Sequence, residues 1–146
     1  MSKTNTWENE LLLLLFNNTA MTGVGDAPGL LGSALSGNLY VSLHTVDPGE
    51  AGSQNTNEAT YAAYARVAVA RTSGGWTVAA NAVSNTAVVT FPQCSGGSST
   101  ITHFGIGTEA SGAGKLLYKG ELTPNIAITT GITPQIPVGG LDVTED

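Results

Sequence analysis

The chain has 146 residues, eleven acidic against five basic side chains, a formal net charge of −6, nineteen glycines and only 6% aromatic residues. That length fits one domain with a single ordinary core, and charged residues at 11% are too sparse for a charged helical bundle, so Ser, Thr, Asn and Gln must supply the polar surface, as in many extracellular β-proteins. The bases Lys3, Arg66, Arg71, Lys115 and Lys119 are scattered, which argues against a nucleic-acid or anionic-membrane partner, because neither gains from an acidic surface without a basic patch.

The first element is the apolar run LLLLLF at residues 11–16. It is too short for a membrane span, which needs about twenty apolar residues. Glu8 and Glu10 precede it where a secretory signal would carry basic residues. Residues 7–16, WENELLLLLF, therefore predict a short helix capped by Asn5 or Thr6, with both glutamates in its favourable first turn. Apolar side chains all round mean that this helix is either sunk into its own domain or docked in another subunit. Residues 22–37, TGVGDAPGLLGSALSG, read as a glycine-rich loop or hinge.

From residue 39 the pattern changes to short strands and turns. LYVSLH (39–44) alternates Leu39, Val41 and Leu43 with Tyr40, Ser42 and His44, the period of a half-buried strand. ARVAVAR (65–71) alternates again, and Gly74 and Gly75 read as a hairpin tip before Trp76. Further strands are expected at 86–91, 100–107, 115–122, 125–129, 132–138 and 141–145. About eight strands at roughly ten-residue spacing is the cadence of a sandwich or barrel. Residues 47–64 form a loop too long and polar for an ordinary hairpin, and it reads as a surface arm.

His44 and His103, the only histidines, both sit in expected strands and lack H-x-H or H-x-x-x-H spacing, so a metal pair would need them to meet on neighbouring strands. The alternative is a strand histidine hydrogen-bonded to a backbone or hydroxyl group. A Ser–His–Asp site lacks the G-x-S-x-G elbow. The segment GTEASGAGKLL (107–117) misses a phosphate loop, because Lys115 is followed by Leu and Glu109 stands where glycine is required. Asp47, Glu50, Glu58, Glu109 and Glu121 are loop or strand-end acids without the tryptophan platform of a glycosidase. Cys94, alone in the chain, excludes an internal disulfide and a multi-cysteine zinc site, and no basic neighbour in sequence activates it. Asp47-Pro48-Gly49 reads as turn chemistry that ends a strand, with Gly49 supplying positive φ.

The phrases NLYVSLHTVDPGEAGSQNTNEATY (38–61), YARVAVARTSGGWTV (64–78), THFGIGTEASGAGKLLYKG (102–120) and the ending LDVTED resemble a widespread group of small tailed-bacteriophage virion proteins, over nearly the whole chain. Members are usually labelled tail fibre or structural proteins. The resemblance implies a virion protein assembled in the host cytoplasm and brings no catalytic residue with it.

The sequence thus predicts an all-β fold: an antiparallel β-sandwich, jelly-roll-like by cadence, preceded by a short N-terminal α-helix. Residues 1–38 form a helix and linker for docking or oligomerisation, and residues 39–146 the sandwich. The expected function is non-enzymatic: a head decoration (cement) protein bound to the major capsid protein or another virion protein, self-associating as a dimer or trimer. A tail-fibre or tail-tip subunit contacting a host receptor is the alternative, and a small hydrolase or carbohydrate-binding module a remote one. No cofactor, metal, nucleic acid or membrane is expected. The candidate interface comprises Trp7, Leu11, Leu12, Leu14, Leu15 and Phe16 on the helix, with Asp47, Pro48, Glu50, Tyr61 and Tyr64 on the long loop.

Overall fold

A computed structural model describes residues 2–146 and shows a mostly β chain with one N-terminal helix. The helix α1 (Asn5–Asn17) begins after Thr4, whose side chain makes no capping bond, and ends at Asn18 in the left-handed conformation with φ 55°. Among the described residues nine strands follow: β1 (Asn38–His44), β2 (Val67–Ala70), β3 (Trp76–Ala79), β4 (Ala82–Asn85), β5 (Val89–Thr90), β6 (Ser98–Gly107), β7 (Leu116–Thr129), β8 (Gln135–Ile136) and β9 (Asp142–Thr144). They form three antiparallel sheets, none closed, in the orders β2-β1-β6-β7, β3-β4-β9 and β5-β8. These orders do not by themselves spell a jelly roll.

Gly74 and Gly75 do not tip a hairpin between paired strands, because β2 and β3 belong to different sheets. The turn there is instead closed by Thr72, whose carbonyl accepts from the N–H groups of Gly75 and Trp76. The actual hairpin is β3–β4, turning at Ala80 with φ 54°; its turn segment VAANAV (78–83) lacks the Gly or Asn-Gly signal that marks such turns. The strands expected at 115–122 and 125–129 are one long strand, β7, which pairs with β6 at both ends and is irregular in between, where the Thr123–Pro124 peptide is cis. Pro124 is tolerated because β7 is an edge strand.

The chain divides into two compact units. One comprises Met1–Asn38, Val69–Val88 and Pro137–Asp146. Its core is built where α1 packs on β3 and β4. Leu12 and Phe16, four residues apart and so on one face of the helix, are fully buried with Trp76, Val83 and Leu141. Phe16 and Trp76 meet edge to face at 4.9 Å between ring centroids, the geometry that aromatic quadrupoles favour. The helix is therefore sunk into its own unit. Trp7, Leu11, Leu14 and Leu15 are partly covered there and partly open to solvent.

The other unit comprises Leu39–Ala68 and Val89–Ile136. Alternation along β1 and β6 fixes its two sheet faces. Leu39, Val41 and Leu43 of β1 share one face with Phe104 and Ile106 of β6, and all five are buried. The opposite face carries Tyr40, Ser42 and His44 beside Gly107, Gly105 and His103.

Candidate functional site

The most distinctive feature of the second unit is a polar cluster that its long loop builds on the face of β1 and β6. β1 ends at His44. Asp47 Oδ1 then accepts from the N–H of Gly49 at 2.8 Å, and Gly49 takes φ 75°, the turn chemistry expected of Asp-Pro-Gly. The chain does not continue outward. Thr45 N–H donates to Asn57 O, Ala59 N–H donates to Leu43 O, and Gln54 N–H reaches the carbonyl of Ala113. Residues 47–64 are thus laid back on their own sheet, not extended as a surface arm.

Two alternating glycines in β6 make this possible. A Cβ at Gly107 would fall 2.2 Å from Cδ of Gln54, and one at Gly105 2.6 Å from Oγ of Ser42 and 2.7 Å from Nε2 of His44. Gln54 is fully buried in the space so created, and its Oε1 accepts from the N–H of Glu109 at 2.8 Å. Its Nε2 has no hydrogen-bond partner among the described residues. The G-x-G spacing inside a strand was the sequence signal for this close approach.

His44 and His103 do meet, as direct cross-strand partners on one face. Both His44 nitrogens and Nδ1 of His103 are nonetheless committed elsewhere. His44 Nδ1 lies 2.8 Å from the carbonyl of Thr56 and Nε2 2.8 Å from Ser42 Oγ. Since a carbonyl can only accept, Nδ1 carries the proton, and in the neutral ring Nε2 accepts from the serine. His103 Nδ1 contacts Thr102 Oγ1 at 2.8 Å. Burial holds the His44 pKa below its ordinary value, which keeps the ring neutral and its two hydrogen bonds intact. No group of three metal-ligating side chains occurs among the described residues. The Ser42–His44 contact has the distance of a nucleophile–base pair, but both residues are 0% exposed, so no substrate reaches them.

A second network locks the far end of the loop. Arg66 extends Nε and Nη2 to Glu58 Oε1 and Oε2 at 2.7 and 2.8 Å, and its Nη1 and Nη2 also bind the carbonyls of Glu109 and Gly112. The Arg66 side chain is 2% exposed, so this bidentate pair is desolvated and held by geometry. Tyr64 completes it: its hydroxyl donates to Glu58 Oε1 at 2.8 Å and accepts from the N–H of Leu43 at 3.0 Å. Burial, foremost, pushes the Tyr64 phenol far above its usual range. Beside this network lies a recess of about 230 Å³ bordered by Tyr64, Arg66, Ser111 and Gly112; its one guanidinium already makes four hydrogen bonds.

The sequence-derived interface residues fall into distinct environments. Leu12, Phe16, Pro48 and Tyr61 are buried by the chain itself, and Tyr64 is mostly so. Asp47 and Glu50 face solvent, with side chains 48% and 95% exposed, and both pair with Lys119 of β7 at 3.1 Å. Sequence reasoning missed Gln54, Glu58 and Arg66 as a structural cluster. An arginine in an expected strand of a chain with only five bases was the available hint.

No curated protein matches the chain. The sequence does match the family described as Podophage GP4 fiber I protein gp80 over residues 2–144. A fibre family supports the tail-fibre alternative over head decoration, so the cement expectation is not supported; composition and strand cadence are shared by both kinds of shell and tail protein and could not separate them. Matched over nearly its whole length, the chain belongs to the Podophage GP4 fiber I protein gp80 family, non-enzymatic phage fibre proteins of the virion.

Proposed function

We propose that the protein is a tail-fibre subunit that serves as a rigid, non-enzymatic building block between other virion proteins. The observation that carries this is the family match over residues 2–144. The long loop supports it: a segment of this length is ordered by internal hydrogen bonds and a desolvated Arg–Glu pair instead of being left mobile around a reactive centre. Self-association as a dimer or trimer belongs to the proposal, since symmetric oligomers are the common solution for small structural subunits. So does a part for the exposed candidates Asp47 and Glu50, and for the open flank of α1 at Trp7, Leu11, Leu14 and Leu15. A sandwich packing of the sheets, expected from the strand cadence, stays with the same proposal, supported by the one-sided apolar face of β1 and β6.

The test is cryo-electron microscopy of the virion with this protein labelled. Density at the tail is the expected outcome. Density on the head shell would return the protein to the decoration class.

A further inference from the structure

The first unit carries a feature that neither its core nor the fibre family explains. Leu35 and Leu31 are 84% and 68% exposed, the two most exposed large apolar side chains among the described residues, and Leu30, next to Leu31 in the chain, is 44% exposed. All three lie in the glycine-rich segment after α1. Apolar side chains this exposed belong to flexible tips when they have no role, because a mobile loop suffers little from them. This loop is not built that way.

Its backbone is fastened at four places. Met21 and Leu30 exchange backbone hydrogen bonds of 2.9 and 2.8 Å. The Asn18 side chain clasps Ser33, donating to its carbonyl at 2.8 Å and accepting from its N–H at 2.7 Å. Gly32 lies so close beneath this clasp that a Cβ would stand 2.4 Å from the Asn18 carbonyl oxygen. The Arg71 guanidinium spans from the end of α1, where it donates to the carbonyls of Leu14 and Leu15, to the carbonyl of Ser36 at 3.1 Å. Finally, the Arg71 N–H donates to Gly37 O at 3.0 Å. The ordering entropy of the loop is therefore spent before any partner arrives, which is the physical meaning of preorganisation.

Charge selects the partner. This unit contains Glu8, Glu10, Asp26, Asp142, Glu145 and Asp146 against only Lys3 and Arg71. Arg71 is committed to backbone carbonyls, and Lys3 pairs with Glu145 at 3.1 Å. The leucines thus stand on a unit whose exposed acids Asp26, Asp142 and Asp146 have no spare side-chain cation among the described residues. A second copy of the same surface would oppose like charges, which disfavours pairing. We propose that Leu30, Leu31 and Leu35 form a docking surface for a different virion protein, one that offers an apolar pocket rimmed by lysine or arginine. Three leucines cover far less than the roughly 800 Å² per partner of a standard interface, so each contact is weak alone and gains strength by repetition in the assembled particle.

This inference rests on the tail-fibre proposal above. Its test uses phage carrying Leu31→Ser/Leu35→Ser in this protein, with Val46→Ser, another exposed apolar residue at 59%, as the matched control. Purified variants are first compared by thermal melting and light scattering. Unchanged melting and oligomeric state are expected, with at least tenfold less double variant per virion and normal content of the Val46 variant. Attachment of wild-type protein to particles should also weaken as salt rises from 0.05 to about 0.5 M, because the rim contacts are screened. Wild-type incorporation of the double variant, or attachment insensitive to salt, would overturn the proposal. A fall in oligomeric state would give the surface to a second copy and overturn it equally. Absence of the wild-type protein from the tail would instead sink the tail-fibre proposal, a separate result.

Discussion

Tyr64→Phe tests whether the loop over residues 47–64 is held by its buried polar contacts. The substitution removes one oxygen and keeps the ring, with its edge contact to Tyr61 at 5.3 Å and its stacking on Phe91 at 6.4 Å. No cavity larger than a hydroxyl results. Two bonds are lost: the donation to Glu58 and the acceptance from the Leu43 amide. Leu43 is 0% exposed, so water cannot take the vacated position at its N–H, and an orphaned buried donor costs about 1–3 kcal/mol. Glu58 loses less. Its side chain is 15% exposed and keeps both bonds to Arg66, which places its loss near the low end of the roughly 1.5–3 kcal/mol typical of charged hydrogen bonds. The total is about 3 kcal/mol, or about 10 °C in Tm at 2–4 °C per kcal/mol for a chain of this size. Urea unfolding followed by circular dichroism measures it, and an unchanged m-value would show that the reference state is the same. Tyr61→Phe is the internal comparison, since its hydroxyl makes a single bond to Pro92 O at 3.1 Å and should cost only about 1 kcal/mol. A Tyr64→Phe protein within about 0.5 kcal/mol of wild type, or less affected than Tyr61→Phe, would refute the argument.

His44 sets the acid side of the stability profile. Its folded pKa is lowered, chiefly by burial, so the unfolded chain takes the proton first; the contribution is complete above the unfolded pKa near 6.5 and shrinks as pH falls below it, by at most about 1.4 kcal/mol per pH unit. His44→Gln should flatten that slope in urea midpoints measured between pH 7 and 5, whereas a slope retained in full would show that other groups produce it. On the alkaline side, burial pushes Tyr61 up to about 12, so the folded protein keeps a proton that the unfolded chain releases near 10. Stability should therefore decline between pH 10 and 12, less steeply in Tyr61→Phe. Gly107→Ala drives a methyl into the Gln54 side chain and should destabilise by about 1–3 kcal/mol, with faster hydrogen exchange at the Glu109 amide that Gln54 holds. Phe16→Ala removes the ring packed on Trp76 and should cost about 3–5 kcal/mol; a loss below about 1 kcal/mol would mean that α1 is an appendage and not part of the core.

Local signals in the sequence were sufficient wherever one residue type has one physical use. The helix at residues 7–16, the strand ending at His44 and the Asp-Pro-Gly turn follow from periodicity, helix propensity and φ restrictions, which act within a few residues. The expectation of a non-enzymatic protein agrees with the fibre family that the chain matches. The fibre family's resemblance was also carried by contiguous phrases, whereas composition and cadence could not separate head from tail.

Tertiary structure decided the rest. Whether LLLLLF would sit in its own unit or in a neighbour depended on β3 and β4, some sixty residues away, and on Trp76 meeting Phe16. Whether the polar loop would extend or fold back depended on Gly105 and Gly107 clearing space for Ser42, His44 and Gln54, and on Arg66 reaching Glu58, Glu109 and Gly112 together. The two histidines could be placed in strands from sequence, but only the register of β1 against β6 put them face to face, and only the loop supplied the Thr56 carbonyl that turns His44 into a structural tie. Periodicity reports which side of a strand a residue occupies; what stands opposite it is fixed by contacts between distant segments, and no local pattern encodes those.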